Sequence, residues 1–135
     1  MGLPLRLIPL LILLVTAASA QQPDYQIYSN TRFGYTVEYP AQLLTPQGEA
    51  DNGDGQAFRS SDGKCEMLTY AGYNVLNETL KSVYRKELSG HSRVTYRLLR
   101  PTFFVVSGID GDRVFYRKTI YRSGIFYTLQ ISYPV

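Results

Sequence analysis

PTFFVVSGIDGDRVFYRKTIYRSGIFYTLQISYP, residues 101–134, decides the fold class. Asp110-Gly111 and Ser123-Gly124 separate runs rich in β-branched and aromatic residues, and glycine supplies the positive φ that tight hairpin turns demand. The stretch therefore reads as three antiparallel strands. Thr102–Ile109 is almost continuously apolar and reads as a central strand buried on both faces. In the last strand Ile125, Tyr127, Leu129, Ile131 and Tyr133 alternate with Phe126, Thr128, Gln130 and Ser132, which assigns the first set to the core. Between them, Arg113–Arg122 has no purely apolar face, so this strand is the one expected to present chemistry.

Working outward, Arg93–Arg100 is a strand with Arg93, Thr95 and Arg97 on a wet basic side, closed by Pro101. Asn74–Ser89 carries Leu76, Leu80, Val83, Tyr84 and Leu88 at helical spacing, with Glu78, Lys81, Ser82, Arg85 and Lys86 opposite. It reads as one amphipathic helix lying across the sheet, capped by Asn74 or Asn77 and ended by Gly90. Asn77-Glu78-Thr79 matches a glycosylation acceptor, but its place at a helix start favours capping. Gln56–Ser60 and Lys64–Tyr73 form a hairpin around Ser61-Asp62-Gly63. Ala41–Gly55, with Pro46, Gly48 and two Asx-Gly steps, reads as a long surface loop. Asp51, Asn52 and Asp54 lack EF-hand spacing and read as an ordinary turn. Tyr25–Asn30 and Arg32–Tyr39 make a first hairpin turning at Ser29-Asn30, its second strand ended by Pro40.

The expected architecture is thus α+β: an antiparallel sheet of six to eight strands with one main helix packed across it. Because the sequence stops at Pro134-Val135 directly after a strand, a second covering helix is expected to be missing. Arg6, the apolar block Leu7–Val15 and Ala18-Ser19-Ala20 form a charged, apolar and small-x-small series, so residues 1–20 read as a signal peptide and 21–135 as a single domain. The protein is expected to be exported, periplasmic or secreted, with no transmembrane segment in the mature chain. Cys65 is the sole cysteine, which excludes a disulfide framework, and reads as a half-buried strand residue. Residues 21–80 carry three basic and eight acidic side chains, and residues 81–135 ten basic and three acidic. If the halves occupy different surfaces, the molecule has an acidic and a basic side.

Asn30–Pro40 (NTRFGYTVEYP), Asn52–Gly55 followed by Phe58 and Ser61–Gly63, Asn74–Leu80, and Phe104–Gly108 before Phe115-Tyr116 together resemble a group of uncharacterised exported bacterial proteins. The FGYTVEYP opening, followed by a loop and paired strands, is similar to the PsbP/Mog1-like sandwich. PsbP-like proteins are accessory subunits of photosynthetic membrane complexes and Mog1 binds a small GTPase. The resemblance implies a non-enzymatic binding or accessory module, with no catalytic residue and no cofactor.

The residue inventory agrees with that implication. His91 is the only histidine, sits in a polar turn after Gly90, and reads as a solvent-exposed loop residue without triad partners. One histidine and one cysteine cannot make a Cys/His zinc site. A small carboxylate-dependent hydrolase is the alternative, through a Glu/Asp pair, for example Glu38 with Glu66 if their strands are neighbours. The expected ligand- or partner-binding residues are Arg93, Arg97, Arg113, Phe115, Arg117 and Tyr121, because arginine forks and aromatic rings suit protein interfaces and anionic ligands. The expected partner is a protein or an anionic envelope component; the modest net charge argues against nucleic acid.

Overall fold

The structure, a computed structural model, describes Gln22 and residues 24–135; the expected signal peptide lies outside the described residues. The strands are β1 (Tyr25–Asn30), β2 (Tyr35–Pro40), β3 (Thr45–Glu49), β4 (Gly55–Arg59) and β5 (Glu66–Tyr73), followed by α1 (Leu80–Ser89). Then come β6 (Arg93–Leu99), β7 (Phe103–Asp110), β8 (Arg113–Arg122) and β9 (Ile125–Pro134). Seven of them build one antiparallel sheet in the order β3-β4-β5-β9-β8-β7-β6, and β1 and β2 form a separate hairpin.

The expected three-strand stretch is β7-β8-β9, turning at Gly111 (φ 59°) and at Ser123-Gly124 (φ 51° and 77°). Its centre, however, is not β7. The last strand pairs with β5 as well as β8, joining the two halves of the sequence, so β9 is the middle strand and β7 the penultimate one. Sequence order could not reveal this, because the β5–β9 pairing closes across the whole intervening chain.

Three further boundaries differ from expectation. The first hairpin turns at residues 31–34 rather than at Ser29-Asn30; Asn30 is instead the last residue of β1, 2% exposed, its side chain accepting from the Phe33 amide and donating to the Gly53 carbonyl. Within the expected loop 41–55, Thr45–Glu49 pairs with β4 as an edge strand with every residue exposed. It lacks alternation because it buries neither face. The helix begins at Leu80, with the Thr79 hydroxyl accepting the Ser82 amide, rather than at Asn74. Asn74 caps the preceding loop instead, accepting from the Glu78 amide and donating to its carbonyl, and Leu76 is 74% exposed.

Two hydrophobic clusters lie on opposite faces of the sheet. On one, the β1–β2 hairpin covers β4, β5 and β9, enclosing Tyr39, Leu44, Phe58 and Met67, with Cys65, Leu129 and Ile131 packed beside them. On the other, α1 covers β6, β7 and β8, enclosing Leu80, Phe104, Val106 and Phe115, with Val83, Tyr84 and Leu88 from the helix. Each large side chain buried here contributes about 1.5–3 kcal/mol.

Candidate functional site

Strand alternation divides the expected binding residues. On β8 the odd residues share the face of Phe104 and Val106, their neighbours on β7. Phe115 is therefore in the core under α1, 5% exposed, and Tyr121 packs against Phe126, ring centroids 4.7 Å apart. Arg117 donates to Glu87 on α1 and to Gln130, each at 2.6 Å. Arg113 donates to the Lys64 carbonyl and to the Ser132 hydroxyl. Phe115, Arg117 and Tyr121 are brought together beneath or beside the helix, while Arg113 is tied to the approach to β5 and to β9. Arg93 and Arg97 are exposed on β6, with Arg93 opposite Ile109 and Arg97 opposite Val106, so the two lie on different faces.

His91 is not an exposed loop residue. Its ring stacks on Phe115, centroids 3.7 Å apart and planes 12° from parallel. Nδ1 meets the Asp110 carboxylate at 2.5 Å and Nε2 the Glu87 carboxylate at 2.6 Å. A neutral imidazole has one donor and one acceptor nitrogen, so only the imidazolium satisfies both carboxylates. Burial works against that charge, but the bonds to Asp110 and Glu87 outweigh it and raise the His91 pKa above its ordinary value. Gln130, Arg117, Glu87, His91, Asp110 and Ser92 form one chain of hydrogen bonds tying the C-terminal end of α1 to β7, β8 and β9. The i, i+4 spacing of Glu87 and His91 was the available signal; Asp110, nineteen positions away, had none in the sequence.

Glu38 and Glu66 do not meet. Met67 faces the hairpin cluster, so its neighbour Glu66 points to the other side of the sheet, where it pairs with Arg59 at 2.8 Å. Glu38 is exposed on the hairpin. Among the described residues no group of three His, Cys, Asp or Glu side chains is placed to hold a metal ion, and no helix is long and apolar enough to cross a membrane.

The concave feature lies on the hairpin side. The hairpin covers only half of this face; over β8, β7 and β6 no element among the described residues packs on it. That open half presents Tyr96, Leu98, Phe103, Tyr116 and Ile120 around a buried Val105, with Arg93, Lys118 and Arg122, and the registers of β6–β9 put no carboxylate among them. Tyr96 is 53% and Ile120 38% exposed. The Lys118 ammonium sits 5.0 Å over the Phe103 ring. Burial first, and the charge of the nearby Tyr96 phenol second, raise the Tyr116 pKa. Where the hairpin ends and the open face begins there is a groove of about 740 Å³, walled by Gly34–Glu38 of β2 and its approach, and floored by Lys118, Ile120, Arg122, Tyr127 and Leu129.

No family model matches the sequence, and no curated protein matches it. Among solved structures, cyanobacterial PsbP (CyanoP) from Synechocystis sp. PCC 6803 superposes with a TM-score of 0.58 at 15% identity, covering 90% of this chain and 86% of that one. The chain therefore has the PsbP-like α+β fold, which among the described residues is a seven-stranded antiparallel sheet with a two-stranded hairpin and one helix.

Proposed function

We propose that the protein is a non-enzymatic binding or accessory module of the bacterial cell envelope, exported to the periplasm or secreted, and that it engages a protein or anionic envelope component through the open sheet face. The observation that carries this reading is the uncovered half of the sheet, apolar and aromatic in its middle, basic at Arg93, Lys118 and Arg122, and without a carboxylate. Apolar surface of this kind, rimmed by cations, marks interaction sites on exported and soluble domains alike. The PsbP-like fold supports an accessory role by analogy of fold, and the leader-like residues 1–20 support export. Of the six residues first singled out, Arg93 belongs to this surface directly. Phe115, Arg117 and Tyr121 lie against α1 on the other face, Arg113 ties β8 to the approach to β5 and to β9, and Glu38 and Glu66, the pair named for the hydrolase alternative, stand apart.

Photo-crosslinking tests the reading. A benzophenone side chain at Tyr116, on the open face, should give discrete adducts in the envelope of the producing cell, whereas the same group at Tyr70, on the helix side away from the groove, should not. Equal labelling from both positions would remove the open face as the contact surface.

A further inference from the structure

Five consecutive residues, Gly34 to Glu38, line the groove. Side chains of a strand alternate between its two faces, so an unbroken run can line a cavity only along the strand's edge. Among the described residues β2 is paired on one side alone, to β1. In an antiparallel pair alternate residues direct their amide and carbonyl groups away from the partner, and on β2 these groups open into the groove without a strand to receive them.

The floor beneath that edge has a pattern of its own. Lys118, Ile120 and Arg122 succeed one another at two-residue spacing on β8, with Tyr127 and Leu129 of β9 beside them. Neither Lys118 nor Arg122 has a carboxylate within ion-pair distance among the described residues. The one carboxylate lining the groove, Glu38, stands on the opposite wall. It repels a second carboxylate placed beside it and so directs negative charge on an occupant toward β8. The volume is within the range of peptide and small-molecule sites.

We propose that the groove takes up an extended acidic segment of a partner protein, added as a strand to the free edge of β2. The inward side chains of this segment read carboxylate, apolar, carboxylate at alternate positions, matching Lys118, Ile120 and Arg122. Main-chain hydrogen bonds to β2 supply affinity and the three floor residues supply selectivity, which is the division of labour in strand addition. This inference rests on the open-face reading above and narrows it to one partner chemistry and one mode.

The test uses the ¹⁵N-labelled chain and a synthetic heptapeptide, Thr-Glu-Thr-Leu-Thr-Glu-Thr, blocked at both ends. Binding is expected to shift the amide resonances of residues 34–38 and slow their hydrogen exchange, to weaken as salt is raised, and to fall at least tenfold in Lys118→Glu/Arg122→Glu. The same peptide N-methylated at alternate amides should not bind, since it cannot form the ladder, and a Lys-for-Glu peptide should not bind either. Equal binding of the N-methylated peptide, or shifts confined to Tyr96, Val105 and Tyr116, would overturn strand addition while leaving the open face as a contact surface. Absence of peptide binding together with a concentration-dependent dimer that Lys118→Glu/Arg122→Glu dissociates would assign the groove to a second copy of the chain and overturn the acidic segment as its occupant. Loss of crosslinking from Tyr116, with β2 amides still shifted by the peptide, would instead remove the wider open-face reading and keep the groove.

Discussion

At the scale of single residues, His91 has the most consequential environment. It is held between Glu87 and Asp110 and stacked on Phe115, with Arg117 the remaining charge facing the cluster through Glu87. Because the folded pKa of His91 lies above 6.5, its stabilising contribution is complete below that value and is lost as pH rises through the folded one. Asp110 is held below 3.8, first by the His91 bond and then by the Ser92 amide; its share is present above that value and lost as pH falls through the folded one. The clamp is therefore strongest between about pH 4 and about pH 6.5. His91→Gln should cost about 1–2 kcal/mol at pH near 5, after allowance for the partly exposed Asp110 carboxyl, and measurably less above pH 8. Urea unfolding of both proteins across that range checks it; a difference independent of pH would show that stacking on Phe115, and not charge, is what His91 supplies.

At the scale of elements, α1 shows where periodicity is insufficient. Leu76 sits in phase with Leu80, Val83 and Leu88, yet Asn77 adopts a left-handed φ of 52° and the Asn74 side chain satisfies the Glu78 backbone before Thr79 starts the helix. Asn and Thr favour caps and turns because their side chains compete for nearby backbone groups. Leu76→Ser should accordingly change stability by less than about 0.5 kcal/mol, whereas Leu80→Ala, which empties a buried site against Phe104, should cost about 2–4 kcal/mol. Thermal unfolding of the pair separates the observed helix start from the longer one. β7 and β6 depend in turn on one close approach: a Cβ at Gly108 would fall 2.0 Å from the Arg93 carbonyl oxygen, so a side chain there forces the two strands apart.

At the scale of the whole molecule, the sheet is a shared wall between two cores. The hairpin cluster and the helix cluster have no residue in common. Core deletions on opposite sides should therefore add: Met67→Ala and Val106→Ala should each cost about 2–3 kcal/mol, and the double variant should equal their sum within about 0.5 kcal/mol. A larger interaction energy in urea titrations would mean that strain passes through the sheet. The same arrangement segregates charge. The acid-rich half of the sequence forms β1–β5 at one side of the sheet, and the basic half forms α1 and β6–β9 at the other, with β9 as the seam. The open basic face is thus a consequence of topology, since it lies where the basic half of the sheet extends beyond the hairpin.

What the sequence determined by itself was local: hairpins wherever Asp-Gly or Ser-Gly separated β-forming runs, one amphipathic helix ended by Gly90, a basic second half, and the FGYTVEYP phrase that resembles PsbP-like proteins. These properties are carried by residues close together in the chain, where turn chemistry and side-chain period act directly. Only the tertiary structure decided that β9 and not β7 is the middle strand, that β3 pairs at the edge, and which face of β8 receives the helix. A strand with polar and apolar residues on both sides, such as Arg113–Arg122, fits either orientation until α1 and the hairpin choose their faces. That choice withdrew Phe115, Arg117 and Tyr121 from solvent, gave His91 one carboxylate from four positions back and another from nineteen positions on, and left Lys118, Ile120 and Arg122 as the floor of an open groove.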